Sequence, residues 1–301
     1  MIDRSQPTAQ RPLIVCVGDL IDEIAVRLDA PWRRGSDAAA RISRRRGGSA
    51  ANVAVAAVLA GGAARFLGAV GDDVTADGLE AALRQAGVES HLQRGGRSAS
   101  IVVVVEPDGE RTMLPDRAAA LTLRDPGPAA LADAAWLHAP AYSLIGEPLG
   151  ATTRLLFERA RASGIPTSLD ASSVGALSNW GVDESRRRLT QLSATLLFAN
   201  EEECDYLRLI DEPLPGSVLV AKRGAGVAEA RSPDGTSLGV LPAQPLPDGI
   251  DTTGAGDAFA GGLLVARASG RPWEDALAAG HAAAAGYLRR QAGAFEEEGA
   301  R

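Results

Sequence analysis

The chain has 301 residues, 46% hydrophobic and 23% charged, enough apolar material for one elaborated α/β domain or two modest ones. A formal net charge of −7 speaks against a nucleic-acid partner, and no apolar run reaches the length of a membrane span. The opening MIDRSQPTAQRP lacks the apolar core of a leader, and Cys16 and Cys204 lie far apart in no metal-like spacing, so the expectation is a cytoplasmic protein without disulfides or zinc.

The first apolar run, Leu13 to Val17, ends at Gly18-Asp19 and reads as a buried strand feeding a loop. From Glu23 to Arg46 the pattern is irregular and charged, with Pro31 and Gly35 as breakers. The run Arg44-Arg45-Arg46 reads as a solvated loop. Gly47-Gly48 then opens an apolar stretch from Ser49 to Ala60, closed by Gly61-Gly62. It reads as a helix with Ser49 as candidate N-cap, apolar nearly all round and therefore buried. Ile101 to Val105, the turn Pro107 to Glu110 and the return run Arg111 to Leu114 predict a hairpin.

Beyond the hairpin, strand-like runs at Ala135–Leu137, Pro166–Asp170, Thr195–Ala199 and Ser217–Ala221 alternate with helical ones, the pattern of a mostly parallel, doubly wound sheet covered by helices. Two alanine-rich helices, Asp257 to Ser269 and Trp273 to Gln291, follow, and the tail Phe295 to Arg301 reads as frayed. No internal repeat or long linker is present. The division expected is an α/β core from 1–18, 47–91 and 119–301, and a small β elaboration from 19–46 and 92–118.

The densest chemistry lies in Asp251-Thr-Thr-Gly-Ala-Gly-Asp-Ala-Phe259. Two glycines about one small residue let a backbone approach a ligand closely, and they stand where a helix begins. There the first amides have no internal partners and the helix dipole is positive, so an anion fits. Asp257 in that first turn is compatible with a plain cap. A carboxylate beside an anion hole also suits phosphoryl transfer, because it can align an attacking hydroxyl and take its proton.

This segment resembles the C-terminal signature of the ribokinase-like, or PfkB, family of carbohydrate and nucleoside kinases. Gly47-Gly-Ser-Ala-Ala-Asn-Val-Ala through Gly68-Ala-Val-Gly-Asp-Asp73 resembles that family's other signature, and the two together span nearly the whole chain in order. The resemblance implies a ribokinase-like doubly wound fold with a β lid that excludes water, and an ATP-dependent transfer to a hydroxyl of a sugar or sugar derivative. It implies Asp257 as base, with Gly254, Ala255 and Gly256 lending amides to the anion hole. Asp22 or Glu23, Gly48 and Asn52 would bind the acceptor. Asn200, Lys222, Gly224, Gly226 and Thr253 would meet the nucleotide, and Glu203 of Asn200-Glu-Glu-Glu203 would help hold hydrated Mg2+. In some relatives the loop around Asp251 and Thr253 holds a monovalent cation, which makes K+ a second candidate ion, and the lid pairs with that of another subunit, which makes a homodimer the candidate assembly.

The chain departs from the family pattern in several places. Lys222, the only lysine among 31 basic residues, stands where the family often has threonine, and Ser49 stands where ribokinases proper have lysine. Asp116-Arg117 reads either as part of the closing lid or as a surface ion pair. His138 reads as structural, with the substrate as its other candidate partner, and His281 as a neighbour of the adenine. A buried Asn52 needs a partner, either a ligand hydroxyl or a neighbouring loop. P-loop, HExxH and GxSxG motifs are absent, as is a GxGxxG after the first strand, which disfavours a dinucleotide-dependent oxidoreductase. A nucleoside kinase and a non-catalytic sugar- or nucleotide-binding regulator remain the alternatives.

Overall fold

The computed structural model of the protein describes residues 11–32, 34–243 and 252–299, with 292–299 as helix backbone. The chain enters on β1 (Leu13–Val17), whose consecutive side chains point to opposite faces: Val15 and Val17 feed one hydrophobic core, Ile14 and Cys16 the other. It leaves this sheet for β2 (Ile21–Leu28) and β3 (Ala40–Gly47), then returns through α1 (Ser49–Leu59), β4 (Ala63–Val70), α2 (Val74–Gln85) and β5 (Glu89–Arg94). A second excursion makes the hairpin β6 (Ala99–Val105) and β7 (Arg111–Asp116).

The remainder runs β8 (Ala134–Pro140), α3 (Leu149–Ala162), β9 (Thr167–Asp170), α4 (Val174–Leu177), α5 (Val182–Leu192), β10 (Leu196–Asn200) and α6 (Glu201–Tyr206). It closes with β11 (Val218–Lys222), β12 (Val227–Arg231), β13 (Ser237–Pro242), α7 (Ala255–Ala268) and α8 (Trp273–Gly299). Among the described residues the large sheet has the order β13-β12-β11-β10-β9-β8-β1-β4-β5, parallel except at β12 and β13. One core lies under α3, α5 and α6, the other under α1, α2, α7 and α8. This is the doubly wound ribokinase-like architecture, with a separate small sheet ordered β3-β2-β6-β7.

Two readings change. The run Arg44-Arg45-Arg46, expected as a solvated loop, lies in β3, and the irregular pattern from 23 to 46, inside the expected β elaboration, resolves into parts of β2 and β3. Their apolar alternation is masked because carboxylates and arginines pair across the ladder, Arg44 with Asp22 and Arg45 with Glu23. The tail is not frayed throughout: α8 continues as helix past Gln291 to Gly299.

Small residues set the helix spacing that positions the site. A Cβ on Gly261 of α7 would lie 2.6 Å from the Ala56 Cβ of α1, and one on Gly262 would lie 2.6 Å from the Ala279 carbonyl oxygen of α8. No side chain separates these helices there, so α1 and α8 each meet α7 at backbone distance.

Candidate active site

Asp257 is the third residue of α7, whose N-cap is Gly254 at φ +83°. A side chain on Gly254 would collide with Tyr287, its Cβ 2.5 Å from the phenol oxygen, so only glycine fits. The close approach of α1 brings Ser49 and Asn52, three residues apart on one helix face, to the Asp257 carboxylate. Ser49 Oγ donates to Oδ1 at 2.7 Å, and Asn52 Nδ2 to Oδ2 at 2.9 Å. Burial pushes the Asp257 carboxyl up to about 6, against the downward pull of those two donors; Asp170 adds to the rise and Lys222 opposes it.

Both α1 residues depart from expectation. Gly48, at φ +103°, is the N-cap, and Ser49 turns its hydroxyl to Asp257 instead of capping. Asn52 bonds a carboxylate 205 residues away, a partner beyond the two expected. A Cβ on Gly48 would overlap the Asp19 carbonyl oxygen, so the turn between β3 and α1 requires glycine. Asp19 is clamped by Arg117, Nε to Oδ2 at 2.7 Å and Nη2 to Oδ1 at 2.8 Å, and Arg117 also donates to the carbonyls of Tyr142 and Ile145. Of the two readings for Asp116-Arg117, the ion pair between them does not form: Asp116 bonds Arg97 on the surface and Arg117 bonds Asp19.

Beside this lies a charged cluster at the carboxyl ends of β9, β10 and β11, where a doubly wound sheet opens its ligand crevice. Lys222 Nζ donates to Asp170 Oδ2 at 2.6 Å, and a Cβ on Gly256 would lie 3.3 Å from that ammonium, so Lys222 rests against the first turn of α7. Burial works against the charge of Lys222, but Asp170, and after it Glu203 and Asp257, more than offset this and leave its pKa raised. Asn200 and Glu203 form a capping box on α6: Glu203 N–H donates to Asn200 Oδ1 at 2.8 Å, and Asn200 N–H to Glu203 Oε2 at 2.8 Å. Glu203 is 2% exposed, and burial followed by the charge of Asp170 pushes it up to about 7. Gly224 and Gly226 shape the tight turn after β11, where Gly226 N–H donates to the Arg223 carbonyl at 2.8 Å and open space lies above Gly224 at φ +55°.

Parity along β2 separates the two candidate acceptor carboxylates. Glu23, Arg45 and Arg111 occupy the face of the small sheet turned to the large domain: Arg45 Nη1 donates to Gln291 of α8 at 2.9 Å, and Arg111 Nη1 to Thr253 Oγ1. Asp22 takes the other face and holds Arg44 above Thr75 and Gly78 of α2. Asp251 lies outside the described residues. The Ala255 amide donates to the Thr252 carbonyl at 3.0 Å, so it faces an anion only after leaving that bond.

His138 is fully buried, bonded through Nδ1 to Ser168 Oγ at 2.9 Å, and burial lowers it to about 4, which makes it structural. His281 bonds the Leu241 carbonyl at 3.1 Å and packs edge-on to Phe259. Asp170, Asp19 and Tyr287 went unnoticed in the sequence. The signal for Asp170 was its place at a predicted strand end.

The residues fit a hydrated divalent ion. Asp170 and Glu203 are buried hard-oxygen donors, the charge of Asp170 adding to the rise of Glu203, with Lys222 the neighbouring cation. Among the described residues no three His, Cys, Asp or Glu converge on one point. Water and ligand oxygens would therefore complete the coordination.

A family profile described as pfkB family carbohydrate kinase matches residues 11–297. The chain is similar to a fructokinase of Klebsiella pneumoniae, 31% identical across 77% of this chain and 80% of that one. Among solved structures it is similar to the fructokinase of Xylella fastidiosa with bound ATP, with TM-score 0.70, 26% identity and coverage of 85% and 81% of the two chains. It is also similar in fold to the adenosine kinase of Sinorhizobium meliloti, with TM-score 0.77, 22% identity and coverage of 92% and 93%. Among the described residues, no helix is long and apolar enough to cross a membrane.

Proposed function

The chain belongs to the pfkB family of carbohydrate kinases, a sugar phosphotransferase, and from that premise we propose that Asp257 is the base that takes the acceptor hydroxyl proton as the γ-phosphoryl group of ATP is transferred. The carrying observation is the Asp257 carboxylate at the first turn of α7, with each oxygen fixed by a neutral donor, Ser49 or Asn52. Held this way, the carboxylate keeps one orientation, and its remaining lone pairs can accept from a sugar hydroxyl. A pKa pushed up to about 6 makes it a better proton acceptor than a free aspartate while it stays ionised near neutrality.

The amides of Gly254, Ala255 and Gly256 would face the transferred phosphoryl group, with Lys222 against the same turn supplying a fixed positive charge. The carboxyl ends of β10 and β11, with Asn200, Gly224 and Gly226, would carry the rest of the nucleotide, and Thr253, bonded to Arg111 of the small sheet, would join the two halves of the site. Mg2+, held near Glu203 and Asp170 through water, would neutralise phosphate charge there. On the acceptor side, Gly48, Asn52 and Glu23 are the residues in place; Asp22 is turned away toward α2. The small sheet would act as a lid that excludes water. Its outer face exposes Ile42 (67%) and Leu114 (55%), apolar surface that a second copy of the chain would cover, which sedimentation at two concentrations tests.

The experiment that tests the function is ADP release from Mg·ATP across ketoses, aldoses, sugar acids, sugar phosphates and nucleosides. Release stimulated by a carbohydrate supports the proposal. A preference for nucleosides would move the chain to a nucleoside kinase, and no stimulation by any acceptor would leave a binding regulator. Repeating the assay with K+ replaced by Na+ tests a monovalent ion at Asp251 and Thr253.

A further inference from the structure

A cavity of about 380 Å³ lies between α1, α7 and α8, and its inner end is formed by Asn52, Gly254, Arg46 and Tyr287. That end adjoins the base, because Asn52 holds the Asp257 carboxylate and Gly254 caps its helix. Arg46 comes from the end of β3, where the strand turns into α1, and its Nη1 is sealed from solvent with no hydrogen-bond partner. Burial lowers its pKa, against the pull of Tyr287, Asp257 and Glu23. A guanidinium nitrogen in that state is costly, by far more than an exposed arginine, unless something supplies an oxygen.

The nearby acids do not supply it. Glu23 is taken by Arg45, Nε to Oε1 at 2.7 Å, Asp22 by Arg44, and Asp257 by Ser49 and Asn52, with no bond from any of the three acids to Arg46 Nη1. The Tyr287 phenol accepts from Gln291. Arg290, exposed one turn along α8, lines the same cavity and adds positive charge without covering Arg46. Arg46 Nη1 is therefore left, among the described residues, without a bonded oxygen at one fixed point near Asp257.

We propose that Arg46 forms an anion subsite for the acceptor, so that the preferred acceptor is a sugar carrying a carboxylate or a phosphate, with its reacting hydroxyl at Asp257 and its anionic group on the Arg46 guanidinium. This rests on the kinase reading above and narrows its substrate class. Carboxylate and phosphate share the chemistry that a guanidinium reads, planar or near-planar oxygens accepting two parallel N–H donors. A neutral sugar would leave Arg46 Nη1 as it stands, without a partner. An anionic one would complete it on binding, which turns an unfavourable buried charge into a source of discrimination.

The test is ADP release with Mg·ATP for matched acceptors: fructose against fructose 1-phosphate and fructose 6-phosphate, and glucose against gluconate and a 2-keto sugar acid. The expected result is a kcat/KM about tenfold to a hundredfold higher for at least one anionic member than for its neutral partner, the range that one charge-assisted bidentate contact supplies. The phosphate and acid arms distinguish the two sources of the anion. Arg46→Gln should abolish that preference through KM for the acceptor, with KM for ATP unchanged, and Arg46→Lys should restore part of it. Faster turnover of the neutral member of every pair would overturn the proposal while leaving the kinase reading intact, and so would an equal loss on both members in Arg46→Gln. No ADP release with any acceptor would instead strike the kinase reading itself.

Discussion

The two halves of the site hold their buried carboxylates in opposite ways. On the α1–α7 side, Asp257 is bonded by two neutral donors, Ser49 and Asn52, with Lys222 acting on it only as a neighbouring charge. At the strand ends, Asp170 and Glu203 sit with Lys222, and the interactions are between full charges. Neutral donors fix direction without consuming the negative charge, which is what a base requires. Charge pairs fix position and set a field, which suits a polyphosphate. Burial raises both Asp257 and Glu203, to about 6 and about 7, but the first is bonded by donors from another helix and the second by Asn200 in its own capping box.

The sharpest way to break this contrast is Asp257→Asn. It keeps the shape and can still bond Ser49, so melting temperature and ATP binding should change little while kcat falls about a thousandfold or more, read as ADP release. Near wild-type turnover would end its assignment as base. Lys222→Met attacks the charged half. It leaves Asp170 and Glu203 buried without their cation, so thermal or urea unfolding should report a loss of about 3–5 kcal/mol, with a weaker KM for ATP.

Glu203→Gln should have the opposite sign at neutral pH. A carboxyl whose pKa is raised in the fold binds its proton more tightly there than in the unfolded chain, so it costs stability as pH rises from about 4.5 to about 7. Removing that charge should stabilise the fold by about 2 kcal/mol near pH 8, with the advantage shrinking toward pH 5. A pH-independent difference between the two proteins would mean that Glu203 is not strained as described. Ser49→Ala is the smallest change expected. It takes away one of the bonds that hold the Asp257 pKa down, so the acid limb of the kcat/KM profile should move above its wild-type position near 6. Because the ionised carboxylate is the active form, activity near pH 6 should drop about threefold and recover at higher pH.

What could be read in the sequence divides along the same line. The strand ends carrying Asn200 and Lys222, and the glycine turn before Asp257, are local patterns: apolar runs stopping at polar residues, and small residues before a helix. They were legible because a strand end or a helix start is decided within a few residues. Ser49 and Asn52 were placed on the right helix, but their common partner lies some two hundred residues away, and only the packing of α1 on α7 selects it. Within the segment 19–46, expected as β, the bounds of β2 and β3 are not legible for another reason. Their alternation is written in arginines and carboxylates that satisfy each other across the ladder, so hydropathy alone shows no period. Which of Asp22 and Glu23 faces inward follows from parity, and parity is readable only once those strands are known.

The glycines at 261 and 262 have a further consequence for how such a protein can change. Because they let α1 and α8 meet α7 backbone to backbone, Asp257 and the two residues that bond it belong to a frame whose spacing at those crossings is set by glycine and alanine. On the reading proposed above, the acceptor would be met by residues hung on the rim of that frame, Glu23 and Arg46 among them, which lie outside the α1–α7 and α7–α8 crossings. A lineage can therefore trade one sugar for another by editing a few rim positions while its chemistry is inherited intact.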